Sequence, residues 1–152
     1  MIHYIIDGNN LIGKIKSLHV LQNKEKQASR EGLVNILNRY FAGKKIKLTL
    51  HLDGHINSVL HLSKGRIIYS ENESADNKIR DEIDRSKNPK LITLITSDQS
   101  LMNYARVNSA SVIKSEQFYK EILNSEKGNE ESEKVKQLEN EKNIFLDMFS
   151  KK

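Results

Sequence analysis

Several aspartates in this chain stand where an apolar run stops. Asp7 closes the run Ile2–Ile6, Asp53 follows residues 46–52, and Asp98 follows the run Leu91–Thr96 with Ser97 between them. Asp76 falls in the first turn of a segment patterned as a helix. In an open α/β sheet ligands bind outside the carboxyl ends of the strands, so these positions are candidate site residues. Carboxylates gathered there repel one another unless a cation, a positive partner or a raised pKa relieves them. A hard divalent ion, Mg²⁺ or Mn²⁺, suits an all-oxygen donor set with water completing its shell. Such an ion can activate water for attack on a phosphodiester and stabilise charge on the leaving oxygen. Asp7, Asp76 and Asp98 are therefore the expected catalytic and metal-ligating residues, with Asp53, Asp81 and Glu73 in a second tier. Asn10 can position water or a phosphate oxygen, and Ser97, Lys78 and Arg80 are further candidate substrate contacts.

Each assignment has a purely structural alternative. The Asp-Gly pairs at 7–8 and 53–54 are turn formers, and an acid in a first helical turn is favoured by the helix dipole. Asp98 can cap the helix that follows it, and Asp81 beside Glu82 suits a solvated face. Repetition of one arrangement at successive strand ends tips the balance towards a site. Other chemistries find less support. His51 and His55 flank Asp53 and His61 lies nearby, but no further His or Cys completes a zinc set, so solvated or nucleic-acid-facing histidines are the default. Ser74 and Ser97 lack a histidine partner for nucleophilic catalysis. No GxGxxG or phosphate-loop motif is present, and the absence of cysteine excludes disulfides and thiol chemistry.

The elements that must position these residues alternate. After the first strand and its turn, Ala28, Leu33, Val34, Leu37, Tyr40 and Phe41 recur at helical spacing over about 24–41, between charges such as Arg30 and Arg39. Residues 46–52 alternate as a strand, 56–62 are a short strand or a loop lying on the sheet, and 66–70 form a strand. A helix starting at Glu73 or Ser74 puts Ala75, Ile79 and Ile83 inward and ends at Asn88–Pro89. Residues 91–96 read as a central parallel strand. A helix through Val107, a strand over 110–113, and a helix from a Ser115 cap to about Leu123 complete the pattern. The alternation implies βαβ units and a three-layer α/β fold with a mainly parallel central sheet.

At 152 residues the chain holds one domain with a core, expected over 1–125, and an appendage over 126–152. In that appendage Val135, Leu138, Phe145 and Phe149 recur at roughly heptad spacing. They suit a helical extension that docks on the body, on a second copy or on a partner. The net charge is +5, and the first 125 residues carry nineteen basic against thirteen acidic side chains. A basic body around a few acids suits a polyanion, with nucleic acid ahead of a membrane surface. Lys44, Lys45, Lys47, Lys64, Arg66, Lys78 and Arg80 are candidate phosphate contacts, and the scarcity of aromatics among them favours backbone tracking over base stacking. No apolar run is long enough to span a bilayer, and the start lacks a signal-peptide pattern, so a cytoplasmic location is expected.

Together these motifs resemble a known family. Ile5-Ile6-Asp7-Gly8-Asn9-Asn10-Leu11-Ile12-Gly13 is similar to the opening DGYN-type motif of NYN domains, particularly the YacP-like branch of the PIN-like nucleases. Leu52-Asp53-Gly54 resembles the family's second strand end. Tyr69 to Ile79 resembles its segment with an acid after Ser/Thr-Ala, and Ile95-Thr96-Ser97-Asp98 resembles its TSD motif. Ala110 to Phe118 is similar to its closing strand and helix. The resemblance spans about residues 1–123. It implies a PIN-like sheet and metal-dependent endoribonuclease activity, on mRNA at the ribosome for this branch. It puts Asp7, Asp76 and Asp98 on the acidic site positions and Asn10 on the polar position of the opening motif. Asn9 departs from the family's usual aromatic. A catalytically inactive RNA- or ribosome-binding adaptor and a toxin-type ribonuclease are the alternatives.

Overall fold

In the computed structural model, which describes residues 1–128, Ile5 and Ile6 are both fully buried, so the first strand is covered on both faces. This strand, β1 (Ile2–Asp7), pairs on one side with β2 (Ile46–Leu52), from Ile2 opposite Ile46 to Asp7 opposite His51. On its other side it pairs with β4 (Ile92–Ile95). β3 (Gly65–Tyr69) lies beyond β2 and β5 (Ser111–Ile113) beyond β4, giving the order β3-β2-β1-β4-β5 with every pairing parallel. Two steps carry the chain outward from β1 to β3, and the next brings it back past β1 to β4. The strand order therefore reverses between β1 and β4, where open parallel sheets form a ligand crevice.

Three helices lie between β1 and β2: α1 (Gly8–Ile12), α2 (Lys16–Lys24) and α3 (Lys26–Tyr40). The return from β3 to β4 uses α4 (Ala75–Arg85), and α5 (Gln99–Val107) joins β4 to β5. A further helix, α6, occupies residues 115–128. On one face of the sheet Ile5, Ile92 and Leu94 pack with Ile79 and Ile83 of α4 and with Leu101 and Ala105 of α5. Alternation sends Tyr4 to the opposite face, where its ring meets Phe41 at 5.0 Å and Phe41 in turn meets Phe118 at 6.1 Å. The chain divides into two compact units, Met1–Tyr119 and Lys120–Lys152. The apolar series over 129–149 lies outside the described residues. No helix among the described residues is long and apolar enough to cross a membrane.

Strand and helix positions follow the sequence pattern closely, with three local differences. The turn expected after Asp7 is a helix that begins at Gly8. Residues 16–24 form α2, for which no element was expected; its mixed composition buries only Leu18. Residues 56–62, expected as a short strand or a loop, are a loop. Ser115 lies within α6, and its hydroxyl bonds to Asn10.

Gly8 is required by close approach. A Cβ there would lie 2.5 Å from the His51 carbonyl oxygen and 2.7 Å from Leu52 Cδ2, both in β2. Gly8→Ala is expected to destabilise the protein by about 1–3 kcal/mol, since the backbone it meets cannot yield as a side-chain tip can. The loss would appear as a lower urea midpoint at unchanged slope.

Candidate active site

Because β1 lies between β2 and β4, the residues leaving these three strands are neighbours at one edge of the sheet. Asp53 leaves β2, Asp7 ends β1, and Asp98 leaves β4 after Thr96 and Ser97. Thr96 is fully buried, and one hydroxyl joins two of these positions. Its Oγ1 donates to Asp7 Oδ2 at 2.9 Å and accepts from the Asp98 N–H at 3.1 Å.

The two asparagines after Gly8 fix both flanks. Successive helical residues project about 100° apart, and here they reach opposite neighbours of β1. Asn9 Oδ1 accepts from the Asp53 N–H at 2.8 Å. Asn10 Oδ1 accepts from the Ser97 N–H at 2.9 Å and from Ser115 Oγ at 2.7 Å. Asn9, the departure from the family's usual aromatic, thus holds the chain beside β1 at Asp53. Ser97 is also committed, since its hydroxyl donates to Glu116 and accepts from the Ser115 N–H. Of the polar side-chain atoms of these two residues, the Asn10 Nδ2 amide is the one without a partner among the described residues.

Sequence patterning treated Arg30 as part of a charged helix face, but it is buried. Its guanidinium donates to the backbone carbonyls of Asp53 and His55 and lies 5.2 Å from the Tyr69 ring centroid. The available signal was its spacing: Arg30 precedes Leu33, Val34 and Leu37 at helical intervals on the inward stripe. Thr96 falls within the motif that ends at Asp98 but carries no role from the sequence, because a β-branched residue ending an apolar strand is ordinary strand composition.

The electrostatic focus is Asp7. Burial is the main cause that raises its pKa from 3.8 to about 6, and the charges of Asp53 and Asp98 push in the same direction. Hydrogen bonds from Thr96 and from the Asn10 backbone oppose the rise without cancelling it. Asp53 and Asp98 are exposed, and each is also bound to a helix start. Asp98 Oδ1 accepts from the Leu101 N–H at 2.9 Å, capping α5, and Asp53 Oδ1 accepts from the Ala75 N–H at 3.3 Å, at the start of α4.

Asp76 reaches the same edge through that first turn of α4, and its Oδ2 accepts from Arg80 Nε at 2.9 Å. Arg80 also donates to Ser100 Oγ at 2.6 Å and lies over Tyr104. It is thus a brace between α4 and α5. Lys78 pairs with Glu73 at 2.9 Å, and Asp81 is exposed on the side of α4 that faces a separate cleft. The histidines do not converge. His51 is buried against Glu82, His55 meets Asn72, and His61 is exposed with its carbonyl bound by Asn38.

Among the described residues no three His, Asp or Glu side chains stand close enough to enclose a metal by themselves. The donor set nevertheless fits a hard divalent ion. All its donors are carboxylate oxygens, Asp53 and Asp98 are open to solvent, and the ionised form of Asp7, disfavoured first by burial and then by the charges of Asp53 and Asp98, is one that a cation would stabilise. Mg²⁺ characteristically takes one or two carboxylates and completes its shell with water and phosphate oxygens.

The Asp7 shift has a stability consequence of definite sign. Its folded-state pKa is raised, so the stabilising contribution is complete below the unfolded value of 3.8 and is lost as pH rises through about 6. In metal-free buffer at pH 7–8, Asp7→Asn should therefore stabilise the protein, by as much as about 3 kcal/mol. It should also flatten the stability profile between about pH 4 and 6, as read by urea unfolding across pH.

The YacP-like NYN domain family model matches residues 4–152. The fold is shared with the crystal structure of a tryptophan-to-leucine mutant of Rae1 (YacP) from Bacillus subtilis, at a TM-score of 0.74 and 21% identity over 90% of this chain and 85% of that one. A second crystal structure of Rae1 (YacP) from Bacillus subtilis gives a TM-score of 0.70 and 19% identity over 93% and 84%. No curated protein matches. With the order of its parallel strands, the acids at their carboxyl edge and a family match over almost its whole length, this chain belongs to the YacP-like NYN domain family of the PIN-like nuclease superfamily.

Proposed function

We propose that this chain is a metal-dependent endoribonuclease that hydrolyses RNA phosphodiester bonds, with mRNA on the ribosome as its substrate context. The observation that carries the reading is the raised carboxyl of Asp7, flanked by Asp53 and Asp98 where the strand order reverses. Asp7 and Asp98, together with Asp53 and with Asp76 at the rim, are the residues that would hold Mg²⁺ or Mn²⁺. The ion would supply neutralisation of charge at phosphorus and a more acidic water.

The chain's own part is to hold these acids in place. Thr96 aims the Asp7 carboxylate and fixes the Asp98 backbone, while Asn9 and Asn10 hold the two flanking strand ends. Arg80 keeps Asp76 in one orientation. The unpartnered Nδ2 of Asn10 and the ammonium of Lys78 are donors for phosphate oxygens, and Ser97 contributes by locking the loop before Asp98. In hydrolysis the water oxygen bonds to phosphorus, one ester P–O bond breaks, and the proton lost by water is balanced by one gained at the departing oxygen. Preorganised groups are effective in that step because they need not reorient as charge moves.

The test is cleavage of single-stranded and structured RNA, free and on ribosomes, by the wild-type protein and by Asp7→Asn and Asp98→Asn. Each variant should lose about two orders of magnitude or more in Mn²⁺-dependent cleavage, and EDTA should abolish cleavage by the wild type. Equal cleavage by Asp7→Asn would remove Asp7 from the mechanism. RNA binding by the wild type with no metal-dependent cleavage on any substrate would make the chain an adaptor.

A further inference from the structure

Away from the aspartates, a cleft of about 480 Å³ is lined by residues of β1, β2, β3 and α4. His3, Lys47 and Arg66 each stand second in their strands, so the cleft lies towards the end of the sheet opposite Asp7. α4 connects the two regions. Its first residue bonds to Asp53 through Ala75, and its last turn places Arg85 at the cleft, a helix length of about 16 Å away.

The lining is strongly cationic. Lys47, Arg66, Lys78, Arg85 and Lys87 line it together with Asp81 and Glu82, and Ile68 is the one aliphatic side chain in the lining. Glu82 is not free to repel an anion strongly, because its carboxylate is buried in a network. His51 Nε2 donates to its Oε1 at 2.9 Å and Thr49 Oγ1 to its Oε2 at 2.9 Å, while His3 Nε2 donates to the Thr49 hydroxyl at 2.7 Å. Burial pushes the Glu82 carboxyl up, but the hydrogen bonds and charge of His51, with Thr49 and His3, outweigh it and hold the group below its ordinary value. Glu82 therefore remains ionised and anchors Arg66, whose Nη2 lies 3.4 Å from Oε2 while the side chain is 63% exposed. Anchoring one end of a guanidinium in this way lowers the conformational entropy lost when its remaining donors meet a ligand. Lys47, Arg85 and Lys87 have no ion-pair partner among the described residues and are exposed.

Such a cleft favours an anionic ligand over an apolar one buried by contact area. Its cations are spread over two strands, a helix and the loop after it, a layout that tracks successive charges better than it encloses one. It contains no Phe, Tyr or Trp side chain for a base to stack on, His3 being its one aromatic ring. We propose that this cleft binds the phosphodiester backbone of a single-stranded RNA segment that continues along α4 from the aspartate edge, giving the chain a second RNA contact remote from the site of cleavage. The proposal rests on RNA being the ligand of that edge. Because it concerns binding, it is tested without turnover.

The experiment uses the full chain in EDTA with a single-stranded RNA of about twelve nucleotides, long enough to span both regions, and reads the dissociation constant by anisotropy over a salt series. The probe variant combines Lys47→Glu, Arg85→Glu and Lys87→Glu; these side chains are exposed and unpaired, and circular dichroism checks the fold. The expected result is at least a tenfold weaker affinity at low salt and a salt slope reduced by about 2, as removal of three single-strand phosphate contacts requires. The neutral Lys47→Gln, Arg85→Gln, Lys87→Gln variant should move both quantities in the same direction. Affinity within about twofold of wild type at an unchanged slope would overturn the proposal. So would cleft-dependent binding of inorganic phosphate or a mononucleotide with RNA binding unaffected, which would make this a small-anion site. The expected loss in RNA binding, found together with no Mn²⁺-dependent cleavage by the wild type, would support the cleft and count against the nuclease reading.

Discussion

The structure depends on holding like charges together at one edge of a parallel sheet. Asp7 is largely buried and lies within the influence of both Asp53 and Asp98, so ionising it at neutral pH works against folding. A stability of about 5–15 kcal/mol is usual for a domain, and a shift of this size consumes a visible part of it. The surrounding groups reduce the conflict without removing it. Thr96 donates to Asp7, while helix starts take up an oxygen of Asp53 and one of Asp98. What remains is one buried carboxyl whose ionisation is opposed first by desolvation and then by its charged neighbours, the kind of perturbed group that clusters at functional sites.

Topology makes this economical in residues. Since β1 is central, a single short helix after Asp7 can reach both neighbours, and the tandem asparagines do so with one side chain each. Gly8 permits the helix to begin against the β2 backbone, so the tie to Asp53 needs no intervening loop. The same sheet face carries a second polar group, which runs from His51, opposite Asp7, down to His3. There Thr49, His51 and His3 surround Glu82, and cations of β2, β3 and α4 line the cleft beside it. α4 thus contributes apolar residues to the core along one side and charged residues to two separate regions along the other.

Much of this was legible from sequence because it rests on local rules. Apolar runs ending in aspartate marked β1, β2 and β4, the spacing of Ala75, Ile79 and Ile83 marked α4, and Ser74 caps that helix through the Asn77 N–H as a cap residue should. What escaped depends on contacts distant in the chain. The motif ending at Asp98 contains Thr96 without giving its role, which appears only when Asp7, 89 positions away, lies beside it. Arg30 looked solvated because charge usually means surface, yet the backbone carbonyls of Asp53 and His55 make its buried position tenable. Asn9 and Asn10 were placed at the site by their motif, but their ties to opposite flanks follow from the sheet order, which no pattern of single residues encodes. The same order brings Asp53, placed in the second tier, beside Asp7, where its charge adds to the rise of the Asp7 pKa.

The central claim is that Asp7, Asp53 and Asp98 form one electrostatic unit. It is tested most directly by titrating the Asp7 side-chain carboxyl by carbon-13 NMR in the wild type, in Asp53→Asn, and in the wild type with saturating Mg²⁺. The account predicts a midpoint near 6 in the metal-free protein, lowered by the loss of the Asp53 charge and lowered further by the ion. A midpoint at the ordinary aspartate value, indifferent to both Asp53 and Mg²⁺, would contradict it.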